Sequence, residues 1–127
     1  MKRFFILLLF NLNIFALSFS FNTSRESGMI NISSSLIVYY SNKGMLDFTA
    51  KDCNISVFVK FRRDLISSIK SETFIKKISG ENFIVLDGRK LYFTEKSRLY
   101  EKLDNIYDHL EKLEKDLKFE CIQDNYN

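Results

Sequence analysis

The chain has 127 residues, 46% of them hydrophobic and 28% charged, with a formal net charge of +3, two cysteines, one histidine and no proline. That length suits one domain. Only four glycines and no proline leave nothing from which to build a flexible linker or a low-complexity array.

The first element is an export signal. Lys2 and Arg3 are followed by an apolar run from Phe4 to Leu17 that only Asn11 and Asn13 interrupt, and no acidic residue precedes Glu26. A basic start, an apolar segment of about 7 to 15 residues and small residues at positions −3 and −1 are what export machinery reads. Residues 1–20 are therefore expected to form a signal peptide. The cut falls before Phe19, with Ala16 and Ser18 at the required spacing, or before Phe21, with Ser18 and Ser20. The alternative is an uncleaved anchor running from Phe4 to Phe21, and only in that case is a membrane partner expected. Those 18 residues stand at the lower edge of what crosses a bilayer. The destination is the periplasm, the envelope or the exterior. Loss of Lys2 and Arg3 brings acidic and basic residues close to balance, so a general attraction to nucleic acid has no warrant and no nucleic-acid partner is expected.

Residues 21–29 are polar and read as a loose leader. Ile30, Ile32, Leu36, Val38 and Tyr40 then fall on one face of an extended segment, the pattern of a half-buried strand. Asn42, Lys43 and Gly44 supply a turn before a second strand, Met45 to Ala50. Lys51 and Asp52 form the next turn, and Cys53, Ile55, Val57, Val59 and Phe61 alternate as a third strand. Leu65, Ile66 and Ile69 have helical spacing, which predicts a short helix over 62–71, with residues 72–78 either continuing it or forming a strand. Phe83 to Leu86 and Lys90 to Thr94 flank Asp87 and Gly88, and Asp-Gly between two β-rich runs signals a hairpin. Residues 30–94 are thus expected to be mainly antiparallel sheet.

Leu99, Leu103, Ile106, Leu110, Leu113 and Leu117 recur at alternating intervals of four and three, the spacing of a heptad. A helix over 95–119 follows, with Thr94 as its N-cap, and residues 120–127 form a tail. The stripe has two uses: as a seam for another helix, including self-association through a second copy, or as core laid across the sheet. The fold class is α+β: a small antiparallel sheet of five or six strands with a short middle helix and a long C-terminal amphipathic helix packed on it.

Cys53 and Cys121 are an even pair, either bridged in an oxidising compartment or left as two thiols. Neither lies in a C-x-x-C. His109 sits on the helix beside the apolar stripe, where a solvated role outweighs a ligand or catalytic one. Sequence motifs for nucleophilic, phosphate-binding or zinc chemistry are absent, so no catalytic, metal or cofactor-binding residues are assigned. The expected function is that of an exported, non-catalytic binding protein holding a protein partner through its sheet face or its long helix. A carrier of a small apolar ligand between sheet and helix is the alternative, and a hydrolase assembled from distant residues a second alternative.

Overall fold

Leu17, Phe19 and Phe21 alternate with Ser18, Ser20 and Asn22, a period of two that belongs to a strand. In the computed structural model of the protein, which describes residues 16–76 and 81–126, this stretch is β1 (Ala16–Asn22). The apolar run expected to serve as a signal falls outside the described residues up to position 15, but its end is part of the sheet. β2 (Ser27–Ser33), β3 (Leu36–Ser41), β4 (Gly44–Thr49), α1 (Ile55–Lys70), β5 (Phe83–Leu86), β6 (Arg89–Tyr92), α2 (Arg98–Leu103) and α3 (Ile106–Tyr126) follow. The six strands form one antiparallel sheet in the order β4-β3-β2-β1-β5-β6, which places β1 in the interior of the sheet. The architecture is α+β with a six-stranded sheet, a middle helix and a C-terminal helix.

Register decides which side chains meet. Phe19 stands opposite Ile30, and Ile30 opposite Tyr39. Leu17 stands opposite Ile32, Ile32 opposite Ile37, and Ile37 opposite Phe48. These residues, with Ile84 and Leu86 of β5, form the covered face of the sheet and share one core with Phe58, Leu65 and Ile69 of α1. The six heptad positions Leu99, Leu103, Ile106, Leu110, Leu113 and Leu117 complete that core, none more than 5% exposed. The stripe is therefore core, and an interaction seam or self-association through those six residues has no exposed surface to use.

Several expectations are corrected. Residues 21–29 are not a leader but the end of β1, its turn and the start of β2. The single strand through Ile30 and Tyr40 is two strands, because Ser34 and Ser35 turn the chain and Ser33 Oγ accepts from the Leu36 N–H at 3.1 Å. The turn shifts the phase by one residue. Ile37 and Tyr39 enter the core, while Leu36, Val38 and Tyr40 occupy the opposite face. The segment from Cys53 to Phe61, read as a strand from its alternation, is helical from Ile55, and α1 runs unbroken to Lys70 instead of beginning at 62. Ile55, Val57 and Val59 are β-branched and mediocre helix formers. Their stretch nonetheless contains no Gly or Pro, and Phe58, Leu65 and Ile69 bury one helical face, which overrides local preference.

The C-terminal helix is broken. Ser97, not Thr94, caps α2: its Oγ accepts from the Tyr100 N–H at 3.1 Å and donates to the Thr94 carbonyl at 2.9 Å. Asp104 and Asn105 interrupt the helix, and α3 then continues to Tyr126, through most of the expected tail. The Asp-Gly hairpin is present, with Asp87 at φ 53° and Gly88 at φ 75°, the left-handed pair that a tight two-residue turn requires. Of the ambiguous segment 72–78, Ile75 makes an isolated bridge to Tyr92 and residues 77 and 78 lie outside the described residues. Among the described residues no helix is long and apolar enough to cross a membrane.

Candidate functional site

The polar residues with the most unusual surroundings are gathered where the helix breaks. Thr23 and Glu26 close the β1–β2 turn through the Thr23 N–H to Glu26 carbonyl bond at 2.8 Å. That turn points the Glu26 side chain inward, where it is 1% exposed. Its Oε2 accepts from the Tyr39 hydroxyl and from the Tyr107 N–H at 3.0 Å, and its Oε1 faces Lys43 Nζ at 3.4 Å. Tyr107 lies in the first turn of α3, whose N–H groups have no helical acceptor and whose dipole favours a carboxylate. Glu26 thus caps a helix from a distant turn. Lys43 Nζ also donates to Asn105 Oδ1 at 2.8 Å. Asp104 Oδ1 accepts from the Arg25 N–H at 3.2 Å and from Ser24 Oγ at 3.3 Å, and Ser24 Oγ lies 2.7 Å from the Tyr100 hydroxyl. The two turns at this end of the sheet, β1–β2 and β3–β4, are tied to the α2–α3 junction.

Burial, followed by the hydrogen bond to Glu26, pushes the Tyr39 hydroxyl far above its ordinary value of 10.0. In the unfolded chain that hydroxyl ionises near its ordinary value, whereas the folded one keeps its proton. The stability that Tyr39 contributes is therefore fully present below pH 10 and is lost as pH rises beyond it, at up to about 1.4 kcal/mol per pH unit. Urea titrations of the wild type and of Tyr39→Phe across pH 8 to 12 should show the wild type losing stability more steeply above pH 10. Parallel curves would exclude the effect. The carboxylate and phenol are buried, and their hydrogen bonds tie the sheet turns to the helix junction.

The second feature lies at the far end of α3. Cys53 and Cys121, 68 residues apart in sequence, are joined in a disulfide with their Cα atoms 5.1 Å apart. Next to the bridge, buried Asn54 accepts the Lys51 N–H at 2.6 Å and donates to the Leu117 carbonyl at 3.0 Å. A cavity of about 380 Å³ opens here between β4 and α3, with Phe48, Leu117, Cys121 and Ile122 as its apolar lining and Lys51, Glu114 and Lys118 among its polar neighbours. Ile122 is 54% exposed.

The third is the face of the sheet opposite the core. Register aligns Met29 with Tyr40 and Tyr40 with Met45 across β2, β3 and β4, and their exposures are 48%, 51% and 56%. Leu36 and half-buried Val38 lie on the same face. This apolar row was hidden from sequence reasoning because the serine turn reversed the apparent faces of β3.

His109 is exposed, with Nδ1 3.3 Å from the Lys102 carbonyl, beside a cavity of about 230 Å³ lined also by Phe61, Leu65 and Ile106. Lys102 is its other lining residue, and none of the described lining residues is a carboxylate. Among the described residues no group of three His, Cys, Asp or Glu side chains is placed to hold a metal ion. Glu26 was missed because residues 21–29 read as a leader, although it is the first acidic residue in the chain. Comparison with known protein families, with curated proteins and with solved structures finds no match to this chain.

Proposed function

We propose that the protein is an exported, non-catalytic binding protein that holds a protein partner against the open face of its sheet. The observation that carries this reading is the row Met29, Tyr40 and Met45. Single exposed apolar side chains are ordinary, but three in register on a face that no helix among the described residues covers form one surface. Met and Tyr are also residues that interfaces favour, the first for its adaptability and the second for its large ring with a polar tip. The reading of export is supported by the disulfide, which persists in oxidising compartments. The reading of a non-catalytic role is supported by where the ionisable groups are used: Glu26, Lys43 and Asp104 join the helix junction to the sheet turns.

A photo-cross-linking amino acid placed at Tyr40 in the full chain, in its native host, tests the reading. A discrete protein adduct is expected from position 40, lost on combining it with Met29→Glu and Met45→Glu, and absent when the cross-linker replaces exposed Lys115 on α3. No adduct, or the same adduct from both positions, sinks it.

The cavity beside the disulfide favours a second reading, carriage of a small apolar ligand. Its volume of about 380 Å³ falls within the range of roughly 300 to 1,000 Å³ typical of ligand sites. Saturable binding of a fluorescent fatty acid, weakened by Ile122→Asp, is the expected result on that reading, and unsaturable binding excludes it.

A further inference from the structure

We infer that the export signal, residues 1–16, is removed by hydrolysis of the Ala16–Leu17 bond, so that the mature chain begins at the first core residue of β1. The inference rests on the export reading above and adds the processing site to it. The two cuts that small-residue spacing alone offers, before Phe19 and before Phe21, both fall inside a strand. Leu17, Phe19 and Phe21 are 4%, 3% and 3% exposed. β1 pairs with β2 along its whole length and with β5 through Ser20, Phe21 and Asn22. A cut before Phe21 leaves two residues of a seven-residue interior strand and uncovers Ile30 and Ile32. A cut before Phe19 removes Leu17 and uncovers Ile32.

A cut before Leu17 costs the sheet only the terminal Ala16–Ser33 pair. The residue on its amino side must be small, and Ala16 is the only small side chain between Phe4 and Leu17. Position −3 then holds Ile14, apolar but larger than the usual alanine. The sheet also weighs against the uncleaved anchor. With residues from Ala16 onward committed to β1, the apolar stretch left for the membrane is Phe4 to Phe15. Twelve residues rise about 18 Å as a helix, against a hydrocarbon core of about 30 Å. The same length lies within the apolar segment of a cleavable signal. In the reaction water adds across the amide: its hydroxyl goes to the Ala16 carbonyl carbon, and the Leu17 nitrogen leaves protonated as the new α-amino group. Cleavage as the chain emerges, before β1 pairs, yields a product that keeps every core side chain of the strand.

The test is intact mass and amino-terminal sequencing of the full-length gene product recovered from the exported fraction. An amino terminus of Leu-Ser-Phe-Ser-Phe is expected. A start at Phe19 or Phe21 overturns the inference while leaving export standing, and a chain retaining Met1 overturns both this site and the cleaved leader. Ala16→Phe should cause uncut precursor to accumulate, and unchanged processing of that variant also overturns the assignment. As a check on the folding argument, a chain of residues 17–127 should show a cooperative melt with the bridge formed, and one of residues 21–127 should not. Equal melting of the two removes the structural ground for the site.

Discussion

Reduction of the Cys53–Cys121 bridge is expected to destabilise the protein by about 4 kcal/mol. The bridge closes a loop of 68 residues, and cross-linking a loop of that size withholds that much chain entropy from the unfolded state. In a domain of this size the loss lowers the melting temperature by on the order of 20 °C. Thermal melts with and without reductant, and of the Cys53→Ala, Cys121→Ala double variant, measure it. A fall of only a few degrees would refute the estimate. The loss should also be uneven. Leu117 is the last buried residue among the described side chains of α3, and Phe119 and Ile122 beyond it are exposed at 56% and 54%. The turns of α3 after Leu117 are thus held mainly by the bridge, and amide exchange after reduction should rise there first.

Glu26→Ala is expected to cost about 3 to 5 kcal/mol, the range for removing one partner of a buried charged cluster. The Tyr39 hydroxyl and the Tyr107 N–H lose their acceptor together, and the Lys43 ammonium, which still donates to Asn105 Oδ1, loses its facing carboxylate. Tyr39 is fully buried and has no route to water, so it carries much of the penalty. Lys43 side-chain exposure of 32% lets its charge find solvent, which keeps the cost from rising further. Glu26→Gln retains an acceptor oxygen for Tyr39 and Tyr107 and should lose roughly half as much. Chemical denaturation of both variants checks the ordering, and an alanine variant as stable as the wild type would refute this role for Glu26.

What the sequence made legible depended on how far each signal reached. The heptad stripe named six core residues because an amphipathic helix writes its buried face locally. The Asp87–Gly88 hairpin was legible for the same reason, since left-handed backbone is carried by those two residues alone. The errors came where one local pattern admits two structures. Cys53 to Phe61 alternates like a strand, yet Phe58, Leu65 and Ile69 also fit one helical face, and only packing against the rest of the core chooses between them. Ser33 to Ser35 offered no Gly or Pro to mark a turn, so the phase change passed unseen and the open face of β3 was taken for its core face. β1 was the largest loss, because the same apolar residues that complete a signal also complete a strand. The candidate surfaces were correspondingly obscure. The Met29–Tyr40–Met45 row requires the register of three strands, and the Glu26 cluster joins residues 81 positions apart.

The strand order has a consequence for synthesis. β1 to β4 form a meander from neighbouring segments, so they can assemble as soon as they emerge. The other flank of β1 belongs to β5, some 60 residues later. Until that hairpin arrives, the nascent sheet presents β1 as a raw edge, with Phe19 and Phe21 uncovered and its outward N–H and C=O groups unpaired. Arrival of the β5–β6 hairpin therefore closes the one interior edge that the early meander leaves open to other chains.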